Sequence, residues 1–163
     1  MLFPELDENA LYIQRTDPDE LLSGFSPHSF KLDDAEWPSV EHYFQGMKFA
    51  TTAPEHLERI RQAATPKQAR KLGRSRFRKI RPDWAEIRRV IMTRALYTKC
   101  RQYPEVAKRL LDTGDQKIVE SSQYDYFWGC GRDRRGENTY GKILMDVRAK
   151  LKDEESSTHS EAP

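Results

Sequence analysis

The stretch "WPSVEHYFQGMKF", Trp37 to Phe49, puts an apolar stripe and a polar strip on one short segment. Pro38 and Ser39 read as a helix start with Ser39 as N-cap, and Val40, Phe44 and Met47 then recur at the spacing of a buried helical face. On the flank, Glu41, Gln45 and Lys48 fall at i, i+4 and i+7, so a carboxylate, an amide and an amine line a strip beside the core face. An acid in a first turn is favoured by the helix dipole whatever its chemistry, so Glu41 by itself decides nothing. A solvated face rarely needs an amide between opposite charges next to a core stripe, and the three residues together mark a candidate site.

Working outward, helical patterns dominate. Pro54 takes a first helical position ahead of Leu57, Ile60 and Ala64, and Thr65 with Pro66 repeats the device before "KQARKLG" stops at Gly73. The longest helix begins near Pro82, with Trp84, Ile87, Ile91, Ala95 and Thr98 on one stripe and Val90 and Leu96 widening it, and Pro104 closes it. A further helix runs from Pro104 through Val106, Ala107, Leu110 and Leu111 to Gly114, and "KIVES" is a candidate strand. Ahead of Ser39, "ALYIQ" and "SFKL" alternate with the turn chemistry of "TDPDE" and "LDDAEW", which predicts short strands. Ile143, Leu144, Val147 and Leu151 define the last helix, and "KDEESSTHSEAP" has the composition of a disordered end. The expected fold is therefore α+β: a mainly helical single domain over residues 1–151 with a small N-terminal sheet or hairpin, and a disordered polar tail over 152–163.

The chain has 163 residues, 37% hydrophobic and 33% charged, with a mean hydropathy of -0.88. That suits one domain with a modest core and a polar surface. There is no basic segment followed by an apolar one at the N-terminus and no run of 18 apolar residues, so a cytoplasmic protein with no membrane span is expected. Cys100 and Cys130 are too few for a disulfide framework, and His28, His42, His56 and His159 form no ligand spacing with them, so no metal is expected. The net charge is +2, yet residues 59–109 hold 17 Lys or Arg against three acids, a local +14 that leaves -12 elsewhere. Such an excess either decorates solvated helix faces or holds phosphates, of a small ligand or of a nucleic acid.

The segment "YDYFWGCGRDRRGENTYG" sets Tyr124, Tyr126, Phe127 and Trp128 beside Gly129, Gly131, Gly136 and Gly141, an aromatic surface on permissive backbone that can shape a pocket. Its "GCG" lacks the spacing of a dinucleotide fingerprint. Trp84 reads equally as a first core residue, Asp125 as a turn residue, and Asn138 as the cap of the last helix or part of an anion site at its N-terminus.

Together, "WPSVEHYFQGMKF", "RPDWAEIRRVIMTRAL", "YDYFWGCG" and "GENTYGKILMDVR", in this order, resemble the NADAR family, which includes the YbiA-like N-glycosidases. The resemblance runs from about Phe25 to Leu151. It implies hydrolysis of a bond between ribose and a nitrogen, without metal or redox cofactor. Family members cleave ribosylaminopyrimidine 5'-phosphates of early riboflavin biosynthesis, releasing ribose 5-phosphate; others remove ADP-ribose from guanine in DNA. The implied partner here is thus a small phosphorylated ribosyl substrate, with ADP-ribosylated DNA as the alternative and a non-catalytic ADP-ribose- or NAD-binding module as a third reading. Glu41 matches the family's glutamate, to stabilise a cationic C1' or activate water. Gln45 and Lys48 would orient ribose hydroxyls or pair with substrate charge, Trp84 would stack, and Asp125 would bind the ribose diol or hold the water. Trp128, Gly129 and Asn138 are expected as further substrate contacts. One position departs: Gly24 stands where the family usually carries Asn, so no ligand contact is carried over from that loop.

Overall fold

The computed structural model describes residues 6–161. It contains strands β1 (Leu11–Ile13), β2 (Phe30–Leu32), β3 (Ala35–Trp37) and β4 (Ile118–Glu120), and helices α1 (Val40–Met47), α2 (Pro54–Arg61), α3 (Pro66–Gly73), α4 (Trp84–Gln102), α5 (Pro104–Leu111) and α6 (Thr139–Glu161). The expected α+β class, mainly helical with little sheet, is what forms.

Local chemistry accounts for most boundaries. β2 and β3 make an antiparallel hairpin whose last pair is Leu32 with Ala35. Its two-residue turn, Asp33 and Asp34, has φ of 53° and 60°, the left-handed pair that matches strand twist. Ser39 caps α1: its hydroxyl accepts from the His42 N–H at 3.2 Å and bonds His42 Nδ1 at 2.7 Å. The other ring nitrogen, Nε2, donates to the Ala63 carbonyl at 2.9 Å, and burial pushes the His42 pKa down, so the neutral imidazole ties α1 to the end of α2. Pro54 and Pro66 open α2 and α3 at their first positions, and the Thr65 hydroxyl accepts from Gln68 N–H at 3.1 Å.

α1 is the hub, packing on α2, α3 and α4, while α4 also carries α5, α6 and β2. The core runs through Trp37, Val40, Tyr43, Phe44, Ile91, Met92, Ala95, Leu96, Tyr140, Ile143 and Leu144. Val90 departs from expectation and is exposed. At about 100° per residue, the buried positions Met92 and Ala95 lie on the opposite side of α4 from it.

Lys99, on that buried face, is 1% exposed. Its ammonium donates to the Ser23 carbonyl at 2.9 Å and to the Ser26 hydroxyl, and burial lowers its pKa to about 8. It fixes the 23–26 loop, whose Gly24 carbonyl accepts from the Glu41 N–H at 3.0 Å.

β1 pairs in parallel with β4, more than 100 residues away in sequence. The sheet is thus not wholly N-terminal: "KIVES" is a strand as expected, and its partner is "LYI". Because the pairing is parallel, both strands end on the same side of the molecule.

The disordered tail is corrected over 152–161, which continue α6. Lys152 donates to the Gly114 carbonyl at 2.9 Å and pairs with Asp115 at 3.0 Å, and Glu154 pairs with Arg101 at 3.4 Å and accepts from the Tyr97 hydroxyl. Composition mistook polarity for disorder. Adding turns to an already anchored helix costs far less than nucleating one. Residues 162 and 163 lie outside the described residues. Among those described, no helix is long and apolar enough to cross a membrane.

Candidate active site

α1 delivers the three polar residues to one place. Glu41 and Gln45 are each 3% exposed, and Gln45 Nε2 donates to Glu41 Oε1 at 2.7 Å. Arg70 of α3 brings Nε to 3.6 Å from the same oxygen. Lys48, one turn on, reaches the Gly73 carbonyl at 3.4 Å. Burial pulls the Lys48 pKa down to about 8; Glu41 opposes this, while Arg74 and Arg70 reinforce it.

α3 approaches α1 this closely because it ends in glycine. A Cβ on Gly73 would lie 2.0 Å from Gln45 Oε1, closer than any real contact, so a methyl group must displace the amide that holds Glu41. Gly73→Ala is expected to lose about 1–3 kcal/mol of stability and to lower kcat/KM in the folded fraction. Urea unfolding and steady-state kinetics on one preparation check both.

The parallel strands supply the opposite wall. Arg15, just beyond β1, and Glu120, the last residue of β4, meet at 3.2 Å, and the second guanidinium nitrogen of Arg15 pairs with Asp125 at 2.8 Å. Asp125 Oδ1 accepts from the N–H groups of Phe127 and Trp128 at 3.0 and 2.7 Å. Burial works against its charge, but the Arg15 cation and these two N–H groups together hold its carboxyl below the usual range. Asp125 therefore both makes a turn and places a carboxylate, and Oδ2 keeps capacity for another donor.

α4 closes the cavity with Trp84, Arg88 and Met92. Trp84 is half-buried, its ring 5.1 Å from that of Phe44, and Trp128 packs edge-on to Phe44 at 5.4 Å. The Arg88 guanidinium lies 3.4 Å from the Phe127 ring centroid. The cavity holds about 160 Å³ and is lined by Arg15, Glu41, Gln45, Lys48, Asp125 and Trp128 among others. An outer basin of about 1000 Å³, bounded by Phe25, Lys67, Lys71, Arg70 and Arg74, shares its two arginines with the cavity.

Six predicted site residues thus converge: Glu41, Gln45, Lys48, Trp84, Asp125 and Trp128. Gly129 and Asn138 do not line this cavity. Gly129 is bare because a Cβ there would stand 2.9 Å from the Glu120 carboxylate. The Asn138 carboxamide accepts from Glu120 N–H at 2.8 Å and donates to the Ile118 carbonyl at 2.9 Å, so it extends the β4 pairing. Arg15, Arg70, Arg74 and Arg88 escaped the sequence reading. The last three belong to the basic middle, whose excess charge was visible; nothing local marked Arg15. Gly24 adjoins Glu41: its missing Cβ would lie 3.8 Å from Glu41 Oε2.

Four buried side-chain polar atoms among the described residues lack a hydrogen-bond partner. Three of them, Gln45 Oε1, Arg70 Nε and Arg88 Nε, belong to residues lining this one cavity. Unmet buried polar atoms are costly, and their clustering marks a place built for a polar ligand.

Known proteins share this arrangement of chain. N-glycosidase Npun_R5314 of Nostoc punctiforme is 40% identical over 131 residues, covering 80% of this chain and 84% of its own. The chloroplastic riboflavin biosynthesis protein PYRR of Zea mays is 36% identical over 142 residues, 79% of this chain and 23% of its own. N-glycosidase YbiA of Escherichia coli is 36% identical over 129 residues, and the NMR structure of the E. coli protein superposes with a TM-score of 0.79 at 32% identity, covering 92% of this chain and 89% of that one. The NADAR domain matches residues 11–152, and the chain belongs to the NADAR domain family.

Proposed function

We infer that this N-glycosidase hydrolyses the bond between ribose C1' and nitrogen in a ribosylaminopyrimidine 5'-phosphate, releasing ribose 5-phosphate and the pyrimidine. The observation that carries the reading is the cluster of buried polar atoms without a hydrogen bond beside a buried carboxylate, one acceptor and two cationic donors on residues that line a space of about 160 Å³. That volume falls below the range of about 300–1,000 Å³ typical of drug-sized ligands, so a sugar ring enters and the rest of the substrate extends into the outer basin. The relationship to a riboflavin biosynthesis protein favours the pyrimidine.

As the base departs, C1' gains positive charge. Glu41, held by Gln45 and Arg70, meets that charge, and a water at C1' completes the hydrolysis. Asp125, kept ionised by Arg15, accepts from the ribose hydroxyls. Lys48 with Arg74 takes the phosphate; both line the cavity, and Arg74 has no carboxylate within ion-pair distance among the described residues. The Trp84 face stacks on the base.

A second reading, removal of ADP-ribose from guanine in DNA, draws on the outer basin, where Lys67, Arg70, Lys71 and Arg74 suit a longer anion. Incubating the protein in parallel with the ribosylaminopyrimidine phosphate and with ADP-ribosylated guanine DNA separates the two. Ribose 5-phosphate release in the first arm is expected; release of ADP-ribose from DNA alone would replace the first reading with the second.

Lys48 gives the reaction a pH signature. Its folded pKa, about 8, lies below the ordinary lysine value. Across that interval the unfolded chain binds the extra proton, so this group's contribution to stability rises with pH. Activity runs the other way: kcat/KM is expected to fall as pH passes about 8, because the phosphate partner loses its charge. Lys48→Arg should move that fall to higher pH, and a pH–rate profile of both proteins checks it.

A further inference from the structure

A second concavity lies across α3 from the active site. It holds about 480 Å³ and is lined by His56, Arg59, Lys71, Arg76, Phe77 and Arg78 together with Gln68, Leu72 and Ser75. Arg70 of α3 and Arg74 just past its end line the active-site cavity, whereas Leu72 lies roughly half a turn from Arg70 and lines this basin, and Gln68 and Lys71 border both this basin and the outer one.

The basin's charge is unbalanced. Arg59, Lys71, Arg76 and Arg78 have no carboxylate within ion-pair distance among the described residues, in contrast to Arg61, Arg81 and Arg94, which are paired with Glu58, Asp83 and Asp33. Four like charges around one hollow repel each other unless an anion sits among them. Phe77 stands at the rim with 89% of its surface exposed, an aromatic face with nothing of the protein on it. His56 supplies an independent mark. It is 2% exposed, its Nε2 donates to the Leu72 carbonyl at 2.7 Å, and its Nδ1 has no partner. With the proton on Nε2, Nδ1 is an acceptor that lacks a donor.

We propose that this basin is a second ligand site, for a nucleoside polyphosphate. The four cations take the phosphate chain, Phe77 stacks on the base, and a ligand hydroxyl or N–H supplies the donor that His56 lacks. The volume suits a single nucleotide. A membrane surface is disfavoured by geometry, since the cations surround a hollow and only one aromatic side chain projects. Lys71 and Gln68 also edge the outer basin of the active site, so the test rests on Arg59, Phe77 and Arg78, which line this basin and neither the Glu41 cavity nor its outer basin.

Calorimetric titration of the full chain with GTP, inorganic tripolyphosphate and guanosine tests it. GTP and tripolyphosphate should bind and guanosine should not. The exposed double variant R59A/R78A should weaken both anions about 30-fold or more. Phe77→Ala should weaken GTP by roughly 10-fold and leave tripolyphosphate unchanged. Both variants should keep the parent circular dichroism spectrum and the parent turnover measured without GTP. Glu41→Gln should bind GTP as the parent does. Unaltered GTP affinity in R59A/R78A would overturn the proposal. So would displacement of GTP by ribose 5-phosphate, which would return the nucleotide to the Glu41 cavity, or binding of an oligonucleotide with none of GTP.

Discussion

Glu41→Gln is expected to keep the fold and to lower kcat about 1,000-fold, a loss of about 4 kcal/mol of transition-state stabilisation. The substitution keeps the size of the side chain and leaves an oxygen for Gln45 Nε2, now 2.7 Å from the carboxylate. What disappears is the negative charge that faces a cationic C1'. Interactions stronger in the transition state than in the ground state appear in kcat, so KM should move little by comparison. The stability change should be small, about 1 kcal/mol, since Arg70 loses its counter-charge at 3.6 Å while remaining partly open to solvent. Thermal unfolding and steady-state kinetics on the same preparation decide the matter. A well-folded Glu41→Gln protein with near-parent kcat would remove Glu41 from the chemistry and leave it a helix-dipole residue.

Glu120→Ala is the other large effect, and it strikes stability first. The Glu120 side chain is fully buried and accepts from Arg15 Nη1 at 3.2 Å and from the backbone N–H groups of Arg15 and Ser122 at 3.2 to 3.3 Å. Removing one partner of a buried pair strands the other's charge and costs about 3–5 kcal/mol. For a domain of this size each kcal/mol moves Tm by about 2–4 °C, so a fall of roughly 10 °C or more is expected. Catalysis should suffer in the molecules that remain folded, because Arg15 also holds Asp125 at 2.8 Å. Urea unfolding gives the first quantity and kcat/KM per folded molecule the second. A loss within 1 kcal/mol of zero would show that the ends of β1 and β4 do not depend on this network.

The sequence alone was enough for nearly every helix start. Ser39, Pro54, Thr65 with Pro66, and Pro104 act through hydrogen bonds and φ restrictions reaching no more than a few residues, so their meaning survives without a tertiary context. The strip of Glu41, Gln45 and Lys48 was legible for the same reason: one helix places all three. The course of α6 past Leu151 was not, because the bonds of Lys152 and Glu154 go to Gly114, Asp115, Tyr97 and Arg101, and composition contains no trace of them.

The site's other wall belongs wholly to the tertiary structure. Parallel pairing of Leu11–Ile13 with Ile118–Glu120 brings Arg15 to Glu120 and Asp125, and a three-residue strand does not announce its partner. Of the 17 cations in the basic middle, Arg70, Arg74 and Arg88 reach the cavity, while Arg59, Lys71, Arg76 and Arg78 line the second basin. Charge can be counted along a chain, but the field that a carboxylate or a phosphate feels depends on distance in space, and only folding sets that distance.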